Sequence, residues 1–105
     1  MSWIYLILAG LFEVGWPVGL KMAQQRETRT MGIAIAVVFM VVSGLFLWLA
    51  QKQIPIGTSY AIWTGIGATG TFFVGIMFYG DPVSLGRYLG VALIIAGVAA
   101  LKLSH

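Results

Sequence analysis

Cysteine is absent from the sequence, which excludes disulfides, thiolate metal sites and cysteine nucleophiles. Charge is scarce as well. Only 9% of the 105 residues are Asp, Glu, Lys or Arg, where a soluble domain carries roughly 25%. So little polar sequence cannot coat a globule, and it leaves no room for a soluble catalytic domain. The lone histidine, His105, reads as a frayed terminal side chain rather than a ligand. No catalytic constellation, resident metal or cofactor is therefore expected, and the chain is not read as an enzyme. The pI near 9.6 comes from a few basic residues at helix ends, which is membrane anchoring and not a nucleic-acid footprint. Met1, Ser2 and Trp3 lack the basic n-region and cleavage motif of a signal peptide, so the first apolar segment is expected to be retained as a helix.

What is abundant is apolar sequence, 60% of the chain, arranged in long runs. A bilayer-spanning helix needs about 20 mostly apolar residues. Four runs qualify, at about 3–21, 31–51, 58–79 and 85–103, so an all-α membrane protein with four transmembrane helices in a single domain, 1–105, is expected. The polar loop 24–30 carries Arg26, Glu27 and Arg29. Pro55, Ile56 and Gly57 signal a turn. Asp81-Pro82 ends the third run, because the residue before proline is pushed out of the helical region, and Ser84 can cap the fourth.

This threading puts Lys21, Arg26, Arg29 and Arg87 at one membrane face, and Lys52, Lys102 and the terminal amine at the other. The bias that orients membrane proteins is thus slight. It permits insertion both ways and hence an antiparallel, dual-topology dimer; a single orientation with the first loop in the cytoplasm also fits. Four short helices are too few to enclose a hydrated pathway, which favours oligomerisation.

Within the first run stands Glu13, the one acidic residue of the segment IYLILAGLFEVGWPVGL. A carboxylate at that depth costs several kcal/mol unless it faces a partner or a water-filled cavity, so it marks a functional site. Helical spacing puts Ala9, Gly10, Trp16 and Pro17 on its face. Small residues one turn above leave space, and an indole one turn below attracts cations. Pro17 has no amide hydrogen, so the Glu13 carbonyl loses its helical partner and the helix can kink. The pattern suits a cationic ligand. Proline is also simply tolerated in membrane helices.

Other helices offer further candidates. Ser43, the hydroxyl deep in the second run, can bond the carboxylate or its own helix. Tyr60, Trp63 and Gly67 share a face of the third run; aromatics there suit an interfacial belt or a site, and Trp63 sits deeper than a belt requires. Gly65 and Gly67 lie near mid-span, where they mark a hinge or a close contact. Gly90 and Gly97, seven apart on one face of the fourth run, fit a dimer seam. Ordinary glycine enrichment in membrane helices would give the same spacing.

The strings GLFEVGWPVGLK and PIGTSYAIWTGIGATG, together with the length, the loop positions and the closing Ala-Leu-Lys-Leu segment, resemble the small multidrug resistance family over the whole chain. FEVxW and WTGIGA look like its guanidinium exporters, and the tyrosine usual in its quaternary ammonium exporters is replaced by Met40. The resemblance implies a proton-coupled antiporter of a bacterial inner membrane, working as an antiparallel homodimer by alternating access. Glu13 of each copy would bind protons and substrate in turn, the site would be lined by Trp16, Ser43, Tyr60 and Trp63, Gly65 and Gly67 would let the third helix bend, and the fourth helix would hold the dimer.

Pro17 and Ser59 stand where alanine is usual, which bears on substrate choice, and the first loop lacks the family's glycine–aromatic turn, which leaves a heterodimer open. Partners are thus small cations, protons, lipid and a second subunit. A polyspecific exporter of lipophilic cations is the alternative within transport. From outside it, the alternative is a non-transporting membrane subunit whose Glu13 is bonded to Ser43 or Tyr60.

Overall fold

The computed structural model describes residues 1–104; His105, read above as a terminal side chain, lies outside them. The first span is built from α1 (Ser2–Glu13) and α2 (Gly15–Met22). Val14 between them keeps helical angles, φ −64° and ψ −32°. Its N–H donates to the Leu11 carbonyl at 3.3 Å, an i→i−3 bond. The interruption lies just before Pro17, whose ring has no N–H to offer the Glu13 carbonyl. The ladder of hydrogen bonds is therefore broken beside Glu13 while the helical rod continues through it.

A 3-10 turn, Arg26–Thr28, leads into α3 (Arg29–Ala50). The Thr28 hydroxyl donates to the Met22 carbonyl at 2.6 Å, and Arg29 Nε donates to the Ala23 carbonyl at 3.2 Å. The Met22 carbonyl also accepts from the Gln25 N–H at 3.3 Å, so Thr28 adds a second bond to it, while Arg29 reaches the carbonyl of the C-cap residue Ala23 and sets its guanidinium at the negative end of the helix dipole. The third span is α4 (Ile56–Tyr79). Its N-cap is Pro55 (ψ 145°), so Ile56 and Gly57, expected in a turn, belong to the first helical turn. Gly80 ends it with φ 67°, a left-handed conformation that glycine adopts without penalty. The last span is α5 (Leu85–Leu103), whose N-cap Ser84 accepts a hydrogen bond from the Arg87 N–H at 3.2 Å, as the sequence suggested. All four spans are long and apolar enough to cross a membrane. The 22 residues of α3, at 1.5 Å each, give about 33 Å, enough for a hydrocarbon core of about 30 Å.

Packing leaves the four spans as a slab of 45 × 34 × 17 Å. The first span lies between α3 and α4, and α5 lies against α4. On one side Gly19 of α2 meets Gly32 and Ala36 of α3 backbone to backbone. Small residues at such a seam allow the close approach on which helix association in lipid depends. The apolar core sits toward the Ser2 end: Leu6, Ala50, Ile54 and Ile62, with Trp3, Leu47 and Trp63 against them. That end is also tied by Ser2 Oγ, which donates to Gln53 Oε1 at 2.8 Å. Toward the first loop it is the first span and α4 that part, and the space between them opens into cavities.

Outward faces carry apolar residues such as Val37, Val41 and Leu45 on α3 and Leu85, Leu89 and Leu93 on α5. Cations near the span ends rest on aromatic rings: Lys52 on Trp48 (4.7 Å to the ring centre), Lys102 on Trp3 (5.2 Å) and Arg87 on Phe72 (5.4 Å). Long basic side chains in this position reach the headgroups while their stems stay in the apolar layer.

Candidate functional site

Glu13 is the last residue of α1 and is half-buried at mid-span, between α3 and α4. Two features shape its seat. The first is the absence of a side chain at Gly67 on α4: a Cβ there would lie 2.5 Å from Glu13 Cγ and 3.0 Å from its Cβ. Only glycine lets the carboxylate's stem lie flat on α4. The second is Ser43 on α3, fully buried, whose Oγ is 3.3 Å from Glu13 Oε1.

Ser43 is the junction of a network across three helices. Its hydroxyl donates to the Ala9 carbonyl of α1 at 2.7 Å and accepts from the Trp63 indole N–H of α4 at 2.8 Å. Of the two possibilities raised from sequence, the geometry has the bond to the carboxylate, and the hydroxyl's further partners lie on α1 and α4 rather than on its own helix. A hydroxyl has one proton and two lone pairs. With Glu13 ionised, the proton can turn to Oε1. With Glu13 protonated, it stays on the Ala9 carbonyl and the second lone pair accepts from the carboxyl. One buried group thus serves both protonation states without being left unpaired, and a buried polar group left unpaired is costly.

A cavity of about 270 Å³ opens beside the carboxylate, lined by Glu13, Pro17, Thr64, Gly67, Ala68 and Thr71. Thr64 belongs to the polar and aromatic stripe that the sequence places before the glycine pair, with Ser59, Tyr60 and Trp63, whereas Ala68 and Thr71 carry no such mark. Thr64 Oγ1 donates to the Tyr60 carbonyl at 2.7 Å, the ordinary back-bond of a helical threonine. Pro17 was flagged for its backbone effect and also lines the cavity.

The remaining sequence candidates fall at different distances from this centre. Trp63 reaches it through Ser43. Tyr60 packs on Trp63, ring centres 5.3 Å apart, and is 56% exposed, on the outward face of the protomer. Trp16 is half-buried and does not line the cavity. Ser59, which stands where alanine was expected, is fully buried with its hydroxyl on the Ile56 carbonyl at 3.1 Å, so it faces the protein interior and not the cavity.

Gly65 and Gly67 are both close contacts in an unbroken α4: Gly65 meets Val98 of α5, with 2.5 Å from a Cβ to Val98 Cγ2, and Gly67 meets Glu13. Gly90 and Gly97 face open space, with nothing within 4 Å of a Cβ at either, and α5 is the least covered span, 6% buried.

Comparisons with known proteins bear on this arrangement. The profile described as Small Multidrug Resistance protein matches residues 1–94. The guanidinium exporter of Salmonella typhimurium is 49% identical over 104 residues, covering 99% of this chain and 98% of its own length. That of Yersinia pseudotuberculosis is 47% identical over 104 residues (99% of each chain), and that of Citrobacter freundii 46% over 104 residues (99% and 98%).

Proposed function

The chain belongs to the small multidrug resistance family, as a multi-pass protein of a bacterial inner membrane, and on that footing we propose that it is a proton-coupled antiporter exporting small cations, foremost guanidinium and substituted guanidinium ions. The observation that carries this reading is Glu13 itself: a carboxylate at mid-span, beside a cavity of about 270 Å³ and within reach of a buried hydroxyl that can serve it charged or neutral. A guanidinium ion is planar and presents paired donors to carboxylate oxygens, so it matches the one charged group at that depth. Relatives named as guanidinium exporters support the substrate class.

Proton and cation compete for Glu13. With the carboxyl protonated, the site is neutral and reorients across the membrane; with it ionised, the site holds a cation and reorients loaded. An inward proton gradient then drives cation export by alternating access. Bending of α4 at Gly65 and Gly67 is the proposed movement, and it would release the contacts these glycines make with Val98 and Glu13.

The functional unit is an antiparallel homodimer. A slab 17 Å thick leaves Glu13 and Tyr60 half-covered, and a second copy would enclose both. The bare face of α5 at Gly90 and Gly97 is the proposed seam.

Exchange of guanidinium against tetra-alkylammonium ions in proteoliposomes tests the substrate. Guanidinium is expected to win the competition. Preference for the bulky ion would move the protein to the polyspecific exporters, and activity only after addition of a related subunit would replace the homodimer by a heterodimer.

A further inference from the structure

The first span and α4 run in the same direction, and their facing positions step together by four residues: Glu13, Pro17 and Lys21 on one, Gly67, Thr71 and Gly75 on the other. The Glu13 cavity is continued toward the first loop by a second one, of about 180 Å³, whose lining includes Pro17, Lys21, Thr71, Gly75, Tyr79 and Asp81. Pro17 and Thr71 line both, so the two cavities adjoin as a trough in two parts, with Glu13 lining the inner part and Asp81 the outer.

The outer carboxylate is held in place by two glycines. The left-handed turn at Gly80 (φ 67°) folds the chain back, so that the Asp81 N–H donates to the Gly75 carbonyl at 3.1 Å. The Asp81 carboxylate then occupies the space where a Cβ of Gly75 would be. Glu13 rests on Gly67 in the same manner. Eight residues of helix separate the two glycines, about 12 Å along the axis, with the Thr71 hydroxyl about 6 Å from either level.

Resting on the reading of Glu13 as the central cation site, we propose that Asp81 is an outer cation subsite at the mouth of this trough, where a guanidinium-type cation docks before passing Thr71 to Glu13. Carboxylate oxygens accept paired N–H donors of such an ion there as they do at the centre. Lys21 lines the same outer cavity on a flexible stem, and its ammonium is the built-in competitor for Asp81.

The test isolates the outer site by removing the inner one. Glu13→Gln protein in bicelles is titrated with guanidinium chloride, with sodium chloride at equal ionic strength as control, and amide shifts are followed by NMR. Saturable shifts at Gly75, Gly80 and Asp81 are expected, lost in Glu13→Gln/Asp81→Asn and reached at lower concentration in Glu13→Gln/Lys21→Gln. Absence of saturable shifts, or their persistence without the Asp81 carboxylate, overturns the proposal. In proteoliposomes, Asp81→Asn alone is expected to raise the guanidinium KM about threefold or more with Vmax nearly unchanged. An unchanged KM would take Asp81 off the path. Wild-type protein that exchanges no guanidinium would count against the central transport reading, while the titration reads the outer site by itself.

Discussion

Ser43→Ala is the substitution whose cost the structure fixes most closely. It removes the acceptor of the Trp63 indole N–H (2.8 Å) and the donor to the Ala9 carbonyl (2.7 Å), at a position with no solvent exposure. A buried donor left unpaired costs about 1–3 kcal/mol in a soluble core. In lipid, hydrogen bonds between helices average about 0.6 kcal/mol and reach about 1.7, because the unfolded chain also finds partners in the membrane. Full burial and three-helix connectivity place this network near the upper figure, so Ser43→Ala is expected to destabilise by about 1–2 kcal/mol.

The companion Trp63→Phe removes the donor. In the double variant no indole N–H is left stranded, so its cost is expected to fall short of the sum of the singles by about 0.6–1.7 kcal/mol. The assay is helix loss by circular dichroism during SDS titration of mixed micelles. Costs that add within about 0.3 kcal/mol would refute the argument that Ser43 couples these helices through the indole.

Two further predictions concern glycines. Gly67→Ala places a methyl 2.5 Å from Glu13 Cγ, and the flexible glutamate relieves the clash by swinging away. The guanidinium KM is therefore expected to rise about tenfold, equivalent to about 1.4 kcal/mol, with the helical fold retained; an unchanged KM would show that the carboxylate does not work from this seat. Gly97→Leu fills a spot with nothing within 4 Å in the protomer, so helix content is expected to stay while cross-linking detects fewer dimers. Full dimerisation of that variant would place the seam elsewhere.

Much of this was legible in the sequence. The four spans follow from run length and apolar content, the Ser84 cap from residue type, and the broken ladder at Val14 from Pro17 three residues on. The pairing of Glu13 with Ser43 was one of two options that only geometry could separate. Other features depend on the rotation of one helix against another, which runs of uniformly apolar residues leave undetermined. Thr71 is unmarked in its apolar run until its face is known. Asp81 reads as a helix stop, and its carboxylate enters the trough only because Gly75 lacks a side chain there. Gly65 and Gly67 were open between bending and contact, and here both are contacts. Ser59 looked like a pocket substitution and is an interior hydroxyl satisfied by its own helix.

The central claim is that proton and cation take turns on one carboxylate. It is tested most directly by guanidinium flux in proteoliposomes under an imposed proton gradient, comparing wild type with Glu13→Gln. Gradient-driven guanidinium exchange in the wild type, and none in a Glu13→Gln protein that keeps its helix content and dimer, is the predicted result. Undiminished gradient-driven flux in the variant would contradict the account.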